Sequence, residues 1–164
     1  MSRHIQQSVT PDRFRRACGR FATGVTVVTV CDPNRQPHGI TVNSFTSVSL
    51  DPPLILICID LRTSILDHFR ESSVFAINIL EASQQELSAR FASSIDDRFQ
   101  GVRWSLSDDG APLLEDTMAG LECSVERVLV EGDHTIVIGR ALRVWSRDGD
   151  PLLFFASRYR TLEG

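Results

Sequence analysis

The stretch GITVNSFTSVSLDPPLILICID, at residues 39–60, contains two segments with different patterns. In the first, apolar residues alternate with Thr, Asn and Ser, which is typical of a strand with one apolar and one polar face. The Asp-Pro-Pro sequence at 51–53 ends this segment, because proline cannot pair within a central strand. The second segment, 54–59, is an almost unbroken apolar run and predicts a strand buried on both faces.

The polar face of the first segment has two interpretations. Its hydroxyl and amide groups could face water on a half-exposed antiparallel strand, and the pattern alone favours this interpretation. They could instead bind a ligand, because Asn43 and the neighbouring hydroxyls offer donors and acceptors. Such groups suit the edge of a planar heterocycle and a phosphate tail.

Length and charge limit the class of protein. The 164 residues fit one domain with its own core, and we predict a single domain over 1–164 in which residues 1–9 are disordered. The chain has 17 Lys and Arg against 21 Asp and Glu without a basic cluster, so we expect no nucleic acid partner. No apolar stretch approaches the roughly 18 residues of a membrane span, and no signal peptide is recognisable.

The cysteines bear on the cellular compartment. The four positions, 18, 31, 58 and 123, are widely spaced and include no C-x-x-C pair. Three of them lie inside apolar runs, where a reduced cysteine behaves as a small hydrophobic residue. The sequence therefore predicts a protein of the reducing cytoplasm.

The segment before residue 39 predicts a helix and a strand. Thr10 before Pro11 is a typical helix start, and apolar residues then recur at helical spacing until Gly24. This helix is predicted to cover one side of the domain. Residues 25–30 predict a strand that pairs with 39–50 through the turn at 32–35.

After the apolar run, the sequence predicts a short helix. Thr63 or Ser64 is its N-cap, and the helix is predicted to end near Ser72. Its free N–H groups could bind an anion, or the hydroxyl could serve only as a cap. The adjacent Arg62 favours a phosphate.

The middle of the chain predicts a strand, a helix and a loop. Val74–Leu80 is a buried strand, and Ser83 with Glu86 predicts a capping box at the start of the next helix. Residues 93–117 are rich in Asp, Ser, Gly and Pro, so we predict a long loop anchored by Trp104.

The final third predicts a hairpin and a last strand. Residues 121–130 and 134–145 pair through the turn at 131–133, and Leu152–Ala156 is the last strand. Six or so strands with two or three short helices favour a mainly antiparallel β-domain, closed or sandwiched. There is no G-x-G-x-x-G motif, so a Rossmann dinucleotide site is excluded.

Several kinds of chemistry are not indicated. The histidines share no spacing that suggests a metal, and no G-x-S-x-G motif marks a hydrolase. His134 follows a hairpin turn, where a histidine usually faces solvent.

Six motifs, in chain order, resemble those of the short-chain flavin reductase family. They are GVTVVT at 24–29, GITVNSFTSVSLDPP at 39–53, LSARFA at 87–92, LEC at 121–123, GDH at 132–134, and PLLF at 151–154 followed by Tyr159. The resemblance implies a mainly β fold, a split antiparallel β-barrel with a few peripheral helices. It also implies a homodimer that reduces non-covalently bound FMN or FAD with NADH or NADPH. The reduced flavin would then pass to a separate monooxygenase.

The resemblance also implies the site residues. His134 would be the catalytic residue on the nicotinamide side, together with Tyr159. Ser64 would lie near the flavin phosphate. The remaining flavin contacts would be Thr41, Val42, Asn43, Ser44, Ser47, Cys58, Ile59, Asp60, Phe91 and Ala92.

Two other functions remain open from the sequence. A split barrel could bind flavin or carry electrons without catalysis, because fold does not fix function. The GDH motif favours a reductase over this alternative. A pyridoxal-phosphate-type oxidase on a related barrel would require Arg and Lys residues around the phosphate, and residues 39–60 contain neither.

Overall fold

The computed structural model describes residues 8–70 and 73–162. Within these ranges it has two α-helices, two 3-10 helices and twelve strands. The helices are α1 (Pro11–Cys18) and α2 (Gln85–Ala92), with 3-10 helices at Ser64–His68 and Ala82–Gln84. The strands are β1 (Thr23–Gly24), β2 (Thr26–Cys31), β3 (Pro37–Val42), β4 (Thr46–Leu50), β5 (Pro53–Asp60), β6 (Val74–Ile79), β7 (Trp104–Leu106), β8 (Pro112–Leu114), β9 (Ala119–Glu131), β10 (His134–Ser146), β11 (Leu153–Phe155) and β12 (Arg158–Arg160).

Seven strands form one antiparallel sheet in the order β3-β2-β6-β9-β10-β5-β4. Its two edge strands, β3 and β4, are joined only by residues 43–45. Four Cα steps of about 3.8 Å therefore bridge Val42 and Thr46, so the sheet curls until its edges approach each other. The edges do not pair, which leaves the sheet open there. This agrees with the predicted split antiparallel architecture.

The curled sheet encloses one core and carries a second on its outside. Buried side chains from β2, β3, β5, β6, β9 and β10 share the first core. The second core joins the sheet to α2, to the β7–β8 hairpin and to the β1-β11-β12 sheet. Trp104 packs edge-on against Phe99 in this second core, with ring centroids 5.5 Å apart.

The decisive stretch at 39–60 differs from the prediction in two ways. It was predicted to hold one strand over 39–50, but residues 43–45 bend away and β4 pairs with β5 rather than with β2. The apolar run was predicted to be buried on both faces, but its burial alternates along β5. The sheet curls about a single core, so only the inner face of β5 is fully covered.

Helix α1 begins as predicted and ends earlier. Thr10 is its N-cap and accepts a hydrogen bond from the N–H of Arg13. The helix ends at Cys18 because the following residues turn and Thr23–Gly24 pair with β11. None of its residues is buried, and Phe14 is 62% exposed. The prediction that this helix covers one side of the domain is therefore wrong for the single chain.

The second helix begins through a different capping box from the predicted one. Glu81 and Gln84 form it, with the N–H of Glu81 donating to Oε1 of Gln84 at 3.0 Å. The pair predicted two residues later, Ser83 with Glu86, is therefore wrong, because a 3-10 turn precedes α2. The helix ends at Ala92.

The loop, the last strand and the helix after Thr63 also differ from their predictions. The loop over 93–117 contains the β7–β8 hairpin. The strand predicted over 152–156 is β11 and ends at Phe155; Ala156 and Ser157, both with positive φ, then turn the chain into the further strand β12. The helix after Thr63 is a 3-10 helix, and its predicted end near Ser72 lies outside the described residues, as do residues 1–7. The β9–β10 hairpin has its turn at Gly132-Asp133, as predicted.

Candidate active site

A cavity of about 1010 Å³ lies between α1 and the ends of β5 and β10. Phe14 and Cys18 of α1 line one wall, and Asn43, Cys58 and His134 line the sheet side. The volume is at the upper end of the roughly 300–1,000 Å³ that small-molecule sites occupy. Three of the predicted site residues therefore meet at one cavity.

Ser44 fixes the bend that places Asn43 at the cavity. Its Oγ accepts a hydrogen bond from the N–H of Cys58 at 3.0 Å and donates one to the carbonyl oxygen of Cys58 at 2.8 Å. The bend is thus attached to β5, and the neighbouring Asn43 is exposed. Ser44 was predicted as a flavin contact, and in the chain alone its hydroxyl is engaged by the backbone.

The hydroxyls of Thr41 and Tyr159 are tied to the same residue of α2. Thr41 Oγ1 donates to the carbonyl oxygen of Ser88 at 2.7 Å, and Ser88 Oγ lies 2.8 Å from the hydroxyl of Tyr159. Ser88 is fully buried. Ser88 therefore connects Thr41, on the strand predicted to bind flavin, with Tyr159, which is predicted to lie on the nicotinamide side. It is not among the predicted site residues. Its position three residues before Phe91 places it on the buried face of the helix, which is the signal that could have found it.

Among the other predicted flavin contacts, some side chains are buried and others are exposed. Val42, Ile59 and Phe91 have buried side chains in the two cores. The ring of Phe91 packs edge-on against Phe99 with centroids 5.0 Å apart. The remaining predicted contacts are exposed but do not line the cavity: Ser47, Ser64 and Ala92. Their roles toward a flavin stay predictions.

His134 lies where two strand ends meet. It is the first residue of β10 and is opposite Asp60 of β5 in the sheet register. Its Nδ1 lies 2.7 Å from Oδ1 of Asp133. The N–H of Leu61 donates to the carbonyl oxygen of Asp133 at 3.1 Å, which attaches the hairpin turn to the end of β5. His134 is held at the cavity with its side chain 46% exposed.

The charges near His134 are mainly negative. Arg62 binds Asp60 through two hydrogen bonds, Nε to Oδ1 at 3.0 Å and Nη2 to Oδ2 at 2.6 Å. These contacts hold the pKa of Asp60 well below its usual range. The hydrogen bond from His134 likewise lowers the pKa of Asp133. Arg62, whose position favours a phosphate in the sequence, is therefore engaged by Asp60 in the chain alone.

Two other features are absent from residues 8–70 and 73–162. No group of three or more His, Cys, Asp or Glu side chains there is placed to hold a metal ion. No helix in the same ranges is long and apolar enough to span a membrane.

Known proteins resemble the chain over most of its length. The family described as the flavin reductase like domain matches residues 18–163. A probable flavin reductase of Rhizobium meliloti is 47% identical over 130 residues, which are 79% of this chain and 42% of that longer protein. The reductase subunit of a flavin-dependent monooxygenase of Rhodococcus jostii is 37% identical, over 96% of this chain and 80% of the subunit.

A solved structure extends the likeness to three dimensions. The NADH:FAD oxidoreductase of Streptomyces globisporus C-1027, in complex with NAD and FAD fragments, superposes with a TM-score of 0.88. The two are 39% identical, and the alignment covers 96% of this chain and 98% of that one. The predicted fold and the predicted family are confirmed. The chain belongs to the flavin reductase family.

Proposed function

We propose that this chain transfers a hydride from NADH to non-covalently bound FMN or FAD and releases the reduced flavin to a separate monooxygenase. The observation that carries the proposal is the cavity at which Asn43, Cys58 and His134 meet. The relatives' names support the reductase activity and both cofactors, since they include an NADH:FAD oxidoreductase. A monooxygenase reductase subunit among them supports the partner.

The residues around the cavity fit a flavin. The side chain of Asn43 can both donate to and accept from the polar edge of the ring system. Ile136 and Phe154 line the same cavity and offer apolar surface for the flat faces of the ring. The thiol of Cys58 lines the same cavity and is partly exposed; burial raises its pKa, so it is uncharged at neutral pH.

The chain contributes binding and orientation to the reaction. A bound flavin supplies the redox chemistry by accepting the hydride. Asn43 would orient the ring through its amide group, since the Ser44 bridge to Cys58 fixes the bend that carries it. His134, where the end of β5 meets the start of β10, would hold the nicotinamide by a hydrogen bond. Residues of helix α1 line the cavity on the side away from the sheet.

We also infer that the chain forms a homodimer. Phe14 on α1, Phe21 after it and Leu50 on β4 are 62%, 77% and 93% exposed in the single chain. β4 is also an edge strand with free backbone groups, which proteins usually cover. A second copy would cover these apolar residues through a symmetric interface. Sedimentation equilibrium at micromolar concentration should give a dimer, and a stable monomer would contradict the inference.

The proposal includes a single domain and a location in the cytoplasm. Residues 1–164 are predicted to form a single domain, with which the match over 18–163 agrees. The four cysteines are all free, which supports the predicted reducing cytoplasm.

Steady-state kinetics tests the proposed function. Oxidation of NADH and of NADPH should be followed with FMN, FAD and riboflavin added separately. We expect NADH oxidation that depends on added flavin, together with flavin that stays in the supernatant after acid precipitation. Flavin binding without any NADH oxidation would instead support the non-catalytic flavin carrier. Flavin that remains on the precipitated protein would contradict non-covalent binding.

A further inference from the structure

Asp133 is held at both its backbone and its side chain. It is in the turn between β9 and β10, directly after Gly132, whose φ of 63° is readily adopted by glycine. Its carbonyl oxygen accepts the N–H of Leu61 at 3.1 Å, and its Oδ1 lies 2.7 Å from Nδ1 of His134. The side chain of Asp133 is 93% exposed, and its hydrogen bond to another side chain of the described residues is the one with His134.

This contact determines which ring nitrogen carries the proton. An ionised carboxylate can only accept hydrogen bonds, so the proton between the two groups belongs to Nδ1 of His134. Asp133 is ionised at neutral pH because the ordinary pKa of an aspartate is about 3.9, and the hydrogen bond with His134 lowers this pKa further. In a neutral imidazole with a protonated Nδ1, Nε2 has a lone pair and accepts hydrogen bonds.

The other charged groups at this end of the sheet do not compete for Nδ1. Asp60 is opposite His134 on β5, but both of its carboxylate oxygens are bound by Arg62. Glu131 is opposite His134 on β9 and lines the cavity. Neither group has a hydrogen bond to the imidazole, which leaves Asp133 as its partner among the described residues.

We infer that Asp133 is a positioning residue that holds His134 in the Nδ1–H tautomer, so that Nε2 accepts a hydrogen bond from the carboxamide NH₂ of the nicotinamide. The inference rests on the proposed function, because it takes NADH as the ligand on this side of the cavity. A lone pair at Nε2 recognises a donor such as the amide N–H of the carboxamide, and it does not recognise a group that can only accept, such as a carboxylate.

Nitrogen NMR tests the tautomer without any catalysis. The chain labelled with ¹⁵N at histidine is recorded at a pH about two units above the ordinary histidine pKa of about 6.5. The His134 signals are assigned by their loss in His134→Ala. We expect the Nδ1–H pattern in wild type and in Asp133→Asn, whose amide oxygen still accepts, and its loss in Asp133→Ala. An Nε2–H pattern in wild type, or no change in Asp133→Ala, would overturn the inference.

A double-mutant cycle tests whether Asp133 acts through His134. Asp133→Ala should raise the NADH KM about tenfold and leave the flavin Kd unchanged, since one hydrogen bond at the nicotinamide is weakened. Asp133→Asn should stay near wild type. The Asp133→Ala change should add nothing in the His134→Ala background. Asp148→Ala, which removes an exposed aspartate from the loop after β10, is the matched control and should change neither constant.

The outcomes separate the inference from the proposed function. If the effects of Asp133→Ala and His134→Ala on the NADH KM multiply in the double variant, Asp133 acts independently of His134 and the inference is overturned. A lower NADH KM in Asp133→Asn than in wild type would show that the Asp133 carboxylate only repels the cofactor phosphates. This result would also overturn the inference. If the Nδ1–H tautomer is present but His134→Ala leaves the NADH kinetics unchanged, the tautomer stands and the nicotinamide assignment of the proposed function is wrong.

Discussion

Ser44 Oγ bridges both backbone polar groups of Cys58, at 3.0 Å from its nitrogen and 2.8 Å from its carbonyl oxygen. The backbone pairing of β4 with β5 ends at Thr46, opposite Leu56. The side chain of Ser44 therefore makes the next contact to β5, at Cys58, two residues beyond Leu56. At this point the backbone has already bent away from β5. This bridge holds the bend at 43–45 and with it Asn43 at the cavity.

Ser44→Ala should lower the free energy of unfolding by about 1–3 kcal/mol, because the N–H and C=O of Cys58 lose their partner in a partly buried position. Urea unfolding of the flavin-free chain measures the change. Ser47→Ala is the control, since Ser47 is exposed on β4 and its side chain makes no hydrogen bond among those described. It should differ from wild type by less than about 0.5 kcal/mol. Equal effects of the two substitutions would show that the bridge does not stabilise the bend.

Asn43→Ala should weaken flavin binding roughly tenfold to a hundredfold, or about 1–3 kcal/mol, because the polar edge of the ring loses its partner. Titration of flavin fluorescence gives the Kd. Asn34→Ala removes the same group from the exposed turn between β2 and β3 and should leave the Kd unchanged. Similar affinities for the two variants would mean that the side chain of Asn43 only faces water.

Gly39→Ala should destabilise the chain by roughly 1–3 kcal/mol, because the added methyl group overpacks a core. A Cβ at this position would lie 2.5 Å from Cε1 and 2.7 Å from Cδ1 of the buried Phe91. Gly24→Ala is the control, since a Cβ there meets nothing within 4 Å. Thermal unfolding of both variants measures the difference, and an unchanged Gly39→Ala would show that Phe91 can move aside without cost.

Cys123 should resist alkylation in the folded chain. Burial, and secondly the neighbouring Glu122, raises the pKa of its thiol to about 12. At about pH 8.5, where an ordinary thiol is half ionised, it stays protonated and unreactive. Iodoacetamide labelling followed by peptide mass spectrometry should modify the exposed Cys18 first. Labelling of Cys123 at the rate of Cys18 would contradict this expectation.

The raised pKa of the Cys123 thiol makes the free energy of unfolding depend on pH. The unfolded chain ionises this thiol near the ordinary pKa of about 8.5, and the folded chain only near 12. Its contribution to stability is therefore complete below about pH 8.5 and is lost progressively as the pH rises toward 12. Between these pH values, wild type should lose stability relative to Cys123→Ala in urea unfolding. A constant difference between the two chains would contradict the raised pKa.

The sequence predicted those features that depend on local pattern. The β9–β10 hairpin follows from two apolar segments around Gly132-Asp133, and the start of α1 follows from Thr10 before Pro11. The family followed from the order of six motifs, which restricts the fold far more than any single motif. Asn43 and His134 were identified through the same motifs, and both line the cavity.

Features that depend on tertiary contacts were missed. The bend at 43–45 requires the Ser44 hydroxyl to replace a backbone partner, which no period of apolar residues reveals. The run on β5 looks buried on both faces, but the curvature of the sheet leaves Leu56 and Cys58 partly exposed. Ser88 was missed because its two hydrogen bonds join segments that are distant in sequence.

The most direct test of the proposed nicotinamide side is the reductive half-reaction of His134→Ala. Anaerobic stopped-flow mixing with a series of NADH concentrations follows the bleaching of bound flavin in wild type and in the variant. We expect a flavin Kd near wild type and a bleaching reaction slower by on the order of 1–3 kcal/mol in transition-state terms, roughly tenfold to a hundredfold. Identical bleaching rates at every NADH concentration would show that His134 is a solvent-facing turn residue and that the nicotinamide binds elsewhere.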